Sequence, residues 1–425
     1  VTDAGAPFDP LTASGASPTG PATRGSVVRV GAATAVIALC GYTVLYLAAR
    51  DLEPAGFSVF AVFWGAFGLV SGAALGLLQE ATREVRSAAQ ATGAKGPHSH
   101  PMWVAAGVGA VSAAVIAISS PLWSGHVFVE LRWLSVALLA VGLAGFCLHS
   151  TLLGMLAGLD RWTAYGSLMV TDGVIRVLVA VATFLIGWGL AGYLWATVGG
   201  SVAWVLMLMV SPSTRRAASL LTPVGTAAFL RGAFHSITAA GASAILVMGF
   251  PVLLQATAGD LGAVGGVVIL AVTLTRAPLL LPLTAMQGNL VAHFVDQSAH
   301  RVRALFTPAV AVTGVGLLGV LAAWSAGPWL LRSAFGPDYR ADGALLAWLT
   351  GGAIAIALLT LTGAAAVAAA LHRAYALGWV SATVASTLLL LLPLDLETRT
   401  VIALLCGPAV GIAVHLSALS RDRAS

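Results

Sequence analysis

Along most of the chain, apolar residues run in blocks of about twenty, and the arginines, prolines and polar residues gather in short stretches between them. Nearly every block exceeds the roughly 18 residues that mark a membrane-spanning candidate. The blocks predict helices near Val28 to Ala49, Ala55 to Gln79, Met102 to Ile118, Trp133 to Ala157, Ala164 to Trp188 and Leu190 to Val210. A second set follows near Ala227 to Gln255, Leu261 to Leu283, Ala304 to Trp324, Ala344 to Ala370, Tyr375 to Leu392 and Thr400 to Leu419. The expected fold is an all-α polytopic membrane protein of about twelve transmembrane helices.

Residues 1–26, rich in Ala, Gly, Pro, Ser and Thr, are expected to form a disordered cytoplasmic tail. The tail has no basic start leading into a short apolar core with a cleavage site, so the first helix is read as retained and not as a signal peptide. Pro212, Arg215, Arg216 and Pro223 mark a cytoplasmic linker over 212–226. It separates a first six-helix bundle, 27–211, from a second, 227–420, and 421–425 form a short cytoplasmic tail. The two halves echo each other: Leu159-Asp160-Arg161-Trp162-Thr163-Ala164-Tyr165-Gly166 follows the fourth helix and Leu371-His372-Arg373-Ala374-Tyr375-Ala376-Leu377-Gly378 the tenth, matching at Leu, Arg, Ala and Gly. Six helices per half is an even number, so the repeat is parallel, and a cleft is expected between the bundles.

Composition agrees with the membrane reading. The 425 residues are 59% hydrophobic and 9% charged, with mean hydropathy +0.94, whereas a soluble domain is about 25% charged. A net charge of +5 would suggest nucleic acid in a soluble protein, but here the basic residues occupy short loops. With the amino terminus inside, 14 of them, among them Arg83, Arg86, Lys95, Arg161, Arg215 and Arg231, fall on the cytoplasmic side. Only Arg50, Arg132, Arg332, Arg340 and Arg399 fall outside, which places both termini in the cytoplasm. Lys95 is the lone lysine, and arginine with abundant Ala and Gly fits a GC-rich bacterial genome; the expected location is the bacterial cytoplasmic membrane. Cys40, Cys147 and Cys406 lie far apart in apolar stretches, read as small buried residues with no metal-ligand spacing.

No phosphate loop, H-E-x-x-H or G-x-S-x-G occurs, so no enzyme activity and no cofactor are expected. Asp51 and Glu53 imitate an acidic pair but are read as part of a solvated loop. The informative residues are ionisable groups inside the bilayer, each costing about 2.5–3.5 kcal/mol to insert. These are Asp172 and Arg176 in the fifth helix, Arg276 in the eighth, and His149 and His235. With Arg231 at the cytoplasmic end of the seventh helix they form the candidate substrate-binding set. Asp172 and Arg176, four apart, can pair on one helical face, either as a structural pair or in a substrate or proton role. The histidines read as polar glue between helices or as proton carriers. Arg276 has no acid on its own helix and must face Asp172, polar groups of another helix, or a water-filled cavity. Beside it Pro278 and Pro282 interrupt the eighth helix, and Gly65, Gly68, Gly72 and Gly76 mark its counterpart, the second. Pro278, Pro282, Gly68, Gly72 and Gly76 are therefore hinge candidates, although a glycine stripe also suits tight helix packing.

Three turns resemble those of bacterial polysaccharide and oligosaccharide-lipid flippases in the multidrug/oligosaccharidyl-lipid/polysaccharide exporter superfamily. Arg50-Asp51-Leu52-Glu53-Pro54-Ala55-Gly56-Phe57-Ser58 is similar to the Arg-x-Leu-x-Pro-x-x-aromatic-Gly turn after the first helix, with Ser58 in place of Gly. Phe335-Gly336-Pro337-Asp338-Tyr339 resembles the Phe-Gly-x-x-Tyr turn before the tenth, and Gly158-Leu159-Asp160-Arg161-Trp162 the turn after the fourth. The resemblance implies two six-helix bundles around a central cavity, alternating access, and a polyprenyl-(pyro)phosphate-linked glycan as cargo, with Arg276 and Arg176 as phosphate-binding candidates. It also implies the lipid bilayer, and glycosyltransferases or a polymerase of the same pathway, as partners. Lipid II flippases have further helices, which argues against a peptidoglycan precursor. The alternatives are a cation-coupled drug antiporter of the same superfamily, with Asp172 as its ion site, and a non-transporting partner of a glycan assembly complex.

Overall fold

The computed structural model describes residues 24–90, 98–286 and 301–421, together with 290, 293–295 and 297. The expected tail therefore lies outside the described residues up to 23, while 24–26 already belong to the first helix. Lys95 and residues 422–425 also lie outside them. The first half comprises α1 (Arg24–Asp51), α2 (Glu53–Gln90), α3 (Pro101–Val127), α4 (Arg132–Gly158), α5 (Trp162–Ile186), and α6 (Gly189–Gly199) joined to α7 (Ala203–Val210) through a 3-10 turn, Gly200–Val202. The linker carries α8 (Pro212–Ala218). The second half comprises α9 (Thr226–Val247), α10 (Phe250–Ala258), α11 (Gly262–Ala285), α12 (Phe306–Phe335), α13 (Gly343–Ala368), α14 (His372–Leu390) and α15 (Leu396–Arg421), with a short turn at Arg301–Ala304. Among the described residues 11 helices are long and apolar enough to cross a membrane, and the 19-residue α14 takes the remaining predicted place. The chain is an all-α membrane protein.

Four boundaries differ from the hydropathy reading. α2 continues past Gln79 to Gln90 because its last turns are amphipathic: Glu80 and Glu84 are buried while Arg83 stays exposed. α12 runs on to Phe335, ending at Gly336 with φ +119°. The sixth span is broken by its 3-10 turn. The seventh, predicted as one helix, breaks after Val247, where Gly249 and Pro251 interrupt the ladder. Pro251 has no N–H to give the carbonyl four residues before it, so the Val247 oxygen is left free. The linker, for its part, is anchored: Ser99 and Thr222 exchange backbone hydrogen bonds at 3.1 and 2.9 Å.

Packing repeats between the halves. α1 packs on α5, α2 and α3 on α4, and α5 on α6; in the same order α9 packs on α14, α11 and α12 on α13, and α14 on α15. The turns into α5 and α14 have matching geometry, with left-handed residues Asp160 (φ 56°) and Ala370 (φ 58°) and caps at Arg161 (φ −85°, ψ 60°) and Leu371 (φ −85°, ψ 58°). Arg161 therefore corresponds to Leu371 and Tyr165 to Tyr375, two residues away from the alignment drawn on letters. The repeat was legible, but the four matching letters were out of register.

At one end the halves share a core. Phe57, near the start of α2, lies edge-to-face with Tyr339, from the turn before α13, at 6.2 Å. Val44, Ala48, Phe60 and Tyr193 of the first half share a cluster with Val268, Leu331 and Leu346 of the second. Toward the other end the seam between α2 and α9 stays closed. A Cβ on Gly72 would stand 2.8 Å from that of Ala244, one on Gly68 3.2 Å from that of Met248, and one on Gly76 would collide with the Ile237 backbone. α2 remains one helix through these glycines, so they form a packing stripe and not a break. By the repeat, α1 and α11 are the equivalent pair, yet they touch only sparsely. Gly31, Ala32, Ala35, Val36 and Leu39 on α1, and Pro278, Leu281, Pro282 and Thr284 on α11, are exposed.

A methyl group at Gly76 should therefore cost stability while one at Gly107, which has nothing within 4 Å, should not. Gly76→Ala is expected to destabilise by about 1–3 kcal/mol through overpacking, and Gly107→Ala to be neutral or stabilising by up to about 1 kcal/mol. Melting of the purified protein in detergent measures both; equal behaviour of the two variants contradicts the tight seam.

Candidate functional site

The intramembrane polar residues fall into separate groups. In the first half, Asp172 and Arg176 form the pair their spacing allows: Arg176 Nε donates to both Asp172 oxygens at 3.2 Å and Nη2 to Oδ1 at 3.1 Å. The remaining end of the guanidinium, Nη1, donates to the Thr197 carbonyl in the last turn of α6 at 2.7 Å. The group also lies 5.5 Å over the Phe67 ring of α2. Gly200, in the 3-10 turn, is flush against the pair, and a Cβ there would overlap the Asp172 carboxylate. His149 is buried at 3% exposure, stacked on Phe146 at 5.4 Å, and its Nδ1 has no partner among the described residues. Sidedness follows from these contacts: the pair faces the interior of its own bundle.

The second half builds the same place without charge. Ala382 and Ser386 stand where Asp172 and Arg176 do, Ser386 donates to the Ala403 carbonyl of α15 at 3.0 Å, and Gly407 abuts Ser386 as Gly200 abuts the pair. A buried histidine absent from the sequence reading, His415, lies within 3.0 Å of Thr362 Oγ1 and 3.2 Å of the Tyr375 carbonyl. An uncharged hydrogen-bonded cluster thus fills this bundle.

Arg276 is 7% exposed and does not meet Asp172; it reaches the broken seventh span. Nη1 donates to the freed Val247 carbonyl at 3.3 Å, and the guanidinium lies 5.1 Å over the Phe250 ring. Nε and Nη2 are buried with no partner among the described residues. One proton donor is answered by backbone; the others await an acceptor. Arg231 and His235 are exposed one turn apart on α9, with His235 Nδ1 2.7 Å from the Arg231 carbonyl. Pro278 and Pro282 lie inside a continuous α11 and are exposed; the break in this region falls on the neighbouring span, at Met248–Gly249. Cys406, read as buried, is exposed.

Two acids escaped the sequence reading. Glu80 and Glu84 are 2% and 5% exposed, and the signal that could have revealed them was the spacing Glu80-Arg83-Glu84, which continues the apolar face of α2 beyond the hydropathy block.

No protein-family model matches the chain. It is 70% identical over 422 residues to the uncharacterized protein Mb3654 of Mycobacterium bovis, covering 99% of this chain and 98% of that protein. With Rv3630 of Mycobacterium tuberculosis it shares 69% over 422 residues, 99% and 98% of the two chains, and with Rv1510 of the same species 70% over 406 residues, 96% and 94%. Among solved structures it resembles the inward-facing conformation of a multidrug resistance MATE family transporter of the MOP superfamily, with TM-score 0.61, 15% identity, and 94% and 99% of the two chains covered. The outward-facing conformation of a multidrug resistance MATE family transporter matches with TM-score 0.57 and 14% identity, over 94% and 96%. A MOP superfamily transporter from Pyrococcus furiosus, described as having a binding pocket of reversed polarity, matches with TM-score 0.53 and 13% identity, over 94% and 97%. The fold is that of MATE transporters.

The uncharged second-half counterpart generates a test of the pair. Asp172→Asn leaves Arg176 buried without its counterion and should destabilise by about 3–5 kcal/mol. The double variant Asp172→Ala with Arg176→Ser, which copies Ala382 and Ser386, should recover most of that loss. Thermal melting of the three proteins decides; a double variant no better than Asp172→Asn contradicts the correspondence.

Proposed function

The chain belongs to the family of mycobacterial proteins that includes Rv3630 and Rv1510, and we propose that it is a flippase that carries a polyprenyl-(pyro)phosphate-linked sugar or oligosaccharide from the cytoplasmic to the outer leaflet by alternating access. The observation that carries the reading is Arg276, a guanidinium in the bilayer with two donor groups unanswered and no carboxylate against it among the described residues. A buried cation of this kind is stabilised by an anion, and the planar fork of arginine suits phosphate oxygens. Asp172, the ion site that a drug antiporter would require, is already neutralised by Arg176, which weighs against that alternative.

A lipid-linked cargo must also keep its tail in the membrane while its head crosses. The sparse contact between α1 and α11, with their exposed halves, supports a lateral entrance on the cytoplasmic side. Arg231 and His235, exposed on α9, would draw the phosphate inward by charge before Arg276 receives it. The shared aromatic cluster would then form the closed outer gate, and its opening would release the head to the far leaflet. The excess of arginine in the loops assigned to the cytoplasm supports this orientation.

Charge-assisted hydrogen bonds contribute about 1.5–3 kcal/mol, so Arg276→Ala should weaken binding of a polyprenyl phosphate by about one to two orders of magnitude. Arg276→Lys should recover part of the loss. Equilibrium binding of a fluorescent polyprenyl phosphate to the purified protein measures it, and unchanged affinity in Arg276→Ala would sink the assignment of the phosphate site.

A further inference from the structure

α2 presents two carboxylates four residues apart, Glu80 and Glu84, at the end of its seam with α9. One guanidinium serves both: Arg83 Nη2 stands 2.5 Å from Glu80 Oε1 and 2.9 Å from Glu84 Oε1. Arg83 is 62% exposed at its side chain, while the two carboxylates are 3% and 7% exposed. The second oxygen of Glu84 is buried and has no partner among the described residues. α9 makes room for the cluster at Gly232, where any side chain would overlap the Glu80 carboxylate. Among the described residues no other cation is engaged with either acid. Arg86 is held by Asp160 of the α4–α5 turn at 2.6 Å. Arg231 and His235 of α9 are exposed, His149 of α4 is stacked on Phe146, and Arg276 of α11 is bound to the Val247 carbonyl.

Two buried carboxylates with one partly solvated cation leave an uncompensated negative charge in the packed seam. Desolvation and the like-charged neighbour both favour neutralising it by a proton, and the orphaned Glu84 oxygen is the atom on which that proton resolves the missing hydrogen bond. If α2 and α9 part, water reaches both acids and the reason to hold the proton disappears. We propose that Glu84, beside Glu80, carries a proton when the α2–α9 seam is closed and releases it to water when the seam opens, which ties the opening of this seam to pH. The sign follows from linkage: a proton held more tightly in the closed state favours closure at low pH, and that advantage is lost as pH rises. The inference rests on the alternating-access reading only in requiring the seam to open; it does not depend on the cargo.

The test places spin labels on exposed positions of the two helices, Ser87→Cys and Ala228→Cys, in full-length protein whose three native cysteines are replaced, reconstituted in liposomes. Distances are read at a series of pH values from about 5 to about 9. The expected result is a short distance at low pH giving way to a longer one as pH rises. Glu84→Gln should hold the short distance throughout. Arg83→Gln, a change at an exposed side chain, removes the attraction that favours the ionised acids and should move the midpoint upward by about one unit or more. A distribution independent of pH, a pH response that survives Glu84→Gln, or a midpoint unmoved by Arg83→Gln overturns the proposal. A second label pair, Leu39→Cys with Leu281→Cys across α1 and α11, separates the two failures: motion there with a still α2–α9 seam removes the proton site and leaves alternating access standing.

Discussion

A bilayer supplies no water to a backbone carbonyl, so every place where a spanning helix breaks must be answered from within the protein. Among the described residues two spans are broken, the sixth at Gly200–Val202 and the seventh at Met248–Gly249. Each break is met by an arginine from an adjacent helix: Arg176 to the Thr197 carbonyl and Arg276 to that of Val247. The resemblance ends there. Arg176 brings its counterion along on the same helix, which makes the first site neutral and self-contained. Arg276 has no counterion among the described residues, so solving a backbone problem leaves a charge problem, and the phosphate proposed above is its solution.

The second constraint is an asymmetry laid over the repeat. Packing within each half follows one plan, but the seams between halves differ: glycines let α2 lie close along α9, while α1 and α11, the equivalent pair, stay apart beyond the shared aromatic cluster. One closed seam and one open one leave a side entrance between α1 and α11. Such a shape suits a cargo with a polar head and a lipid tail better than a soluble cation. The turns that suggested the family in the sequence acquire a physical role here, because Phe57 and Tyr339, one from each half, meet across the cluster.

Much of the fold was legible because twenty-residue apolar blocks have few other uses. Where the reading failed, hydropathy was the wrong instrument. It stopped α2 at Gln79 because charged residues look like loop, although Glu80 and Glu84 continue the buried face. It passed over Gly249-Phe250-Pro251 because proline is not especially polar. The Asp172–Arg176 pair was visible in a four-residue spacing, a local property. The partner of Arg276 was not, since a freed backbone carbonyl on another helix leaves no mark in side-chain identity. Gly68, Gly72 and Gly76 suited hinge and packing equally in sequence, and only the proximity of α9 separates the two.

The central claim is that a lipid tail enters between α1 and α11 while its phosphate goes to Arg276. Photo-crosslinking with a polyprenyl phosphate that carries a diazirine on its prenyl chain tests it most directly, with labelled peptides mapped from protein in liposomes. The account predicts adducts on the exposed halves of both helices, at Val36 or Leu39 and at Leu281 or Thr284, suppressed by an excess of unlabelled polyprenyl phosphate. Adducts spread over the lipid-facing sides of α3 and α12, with none on α1 or α11 and no suppression by competitor, would contradict it.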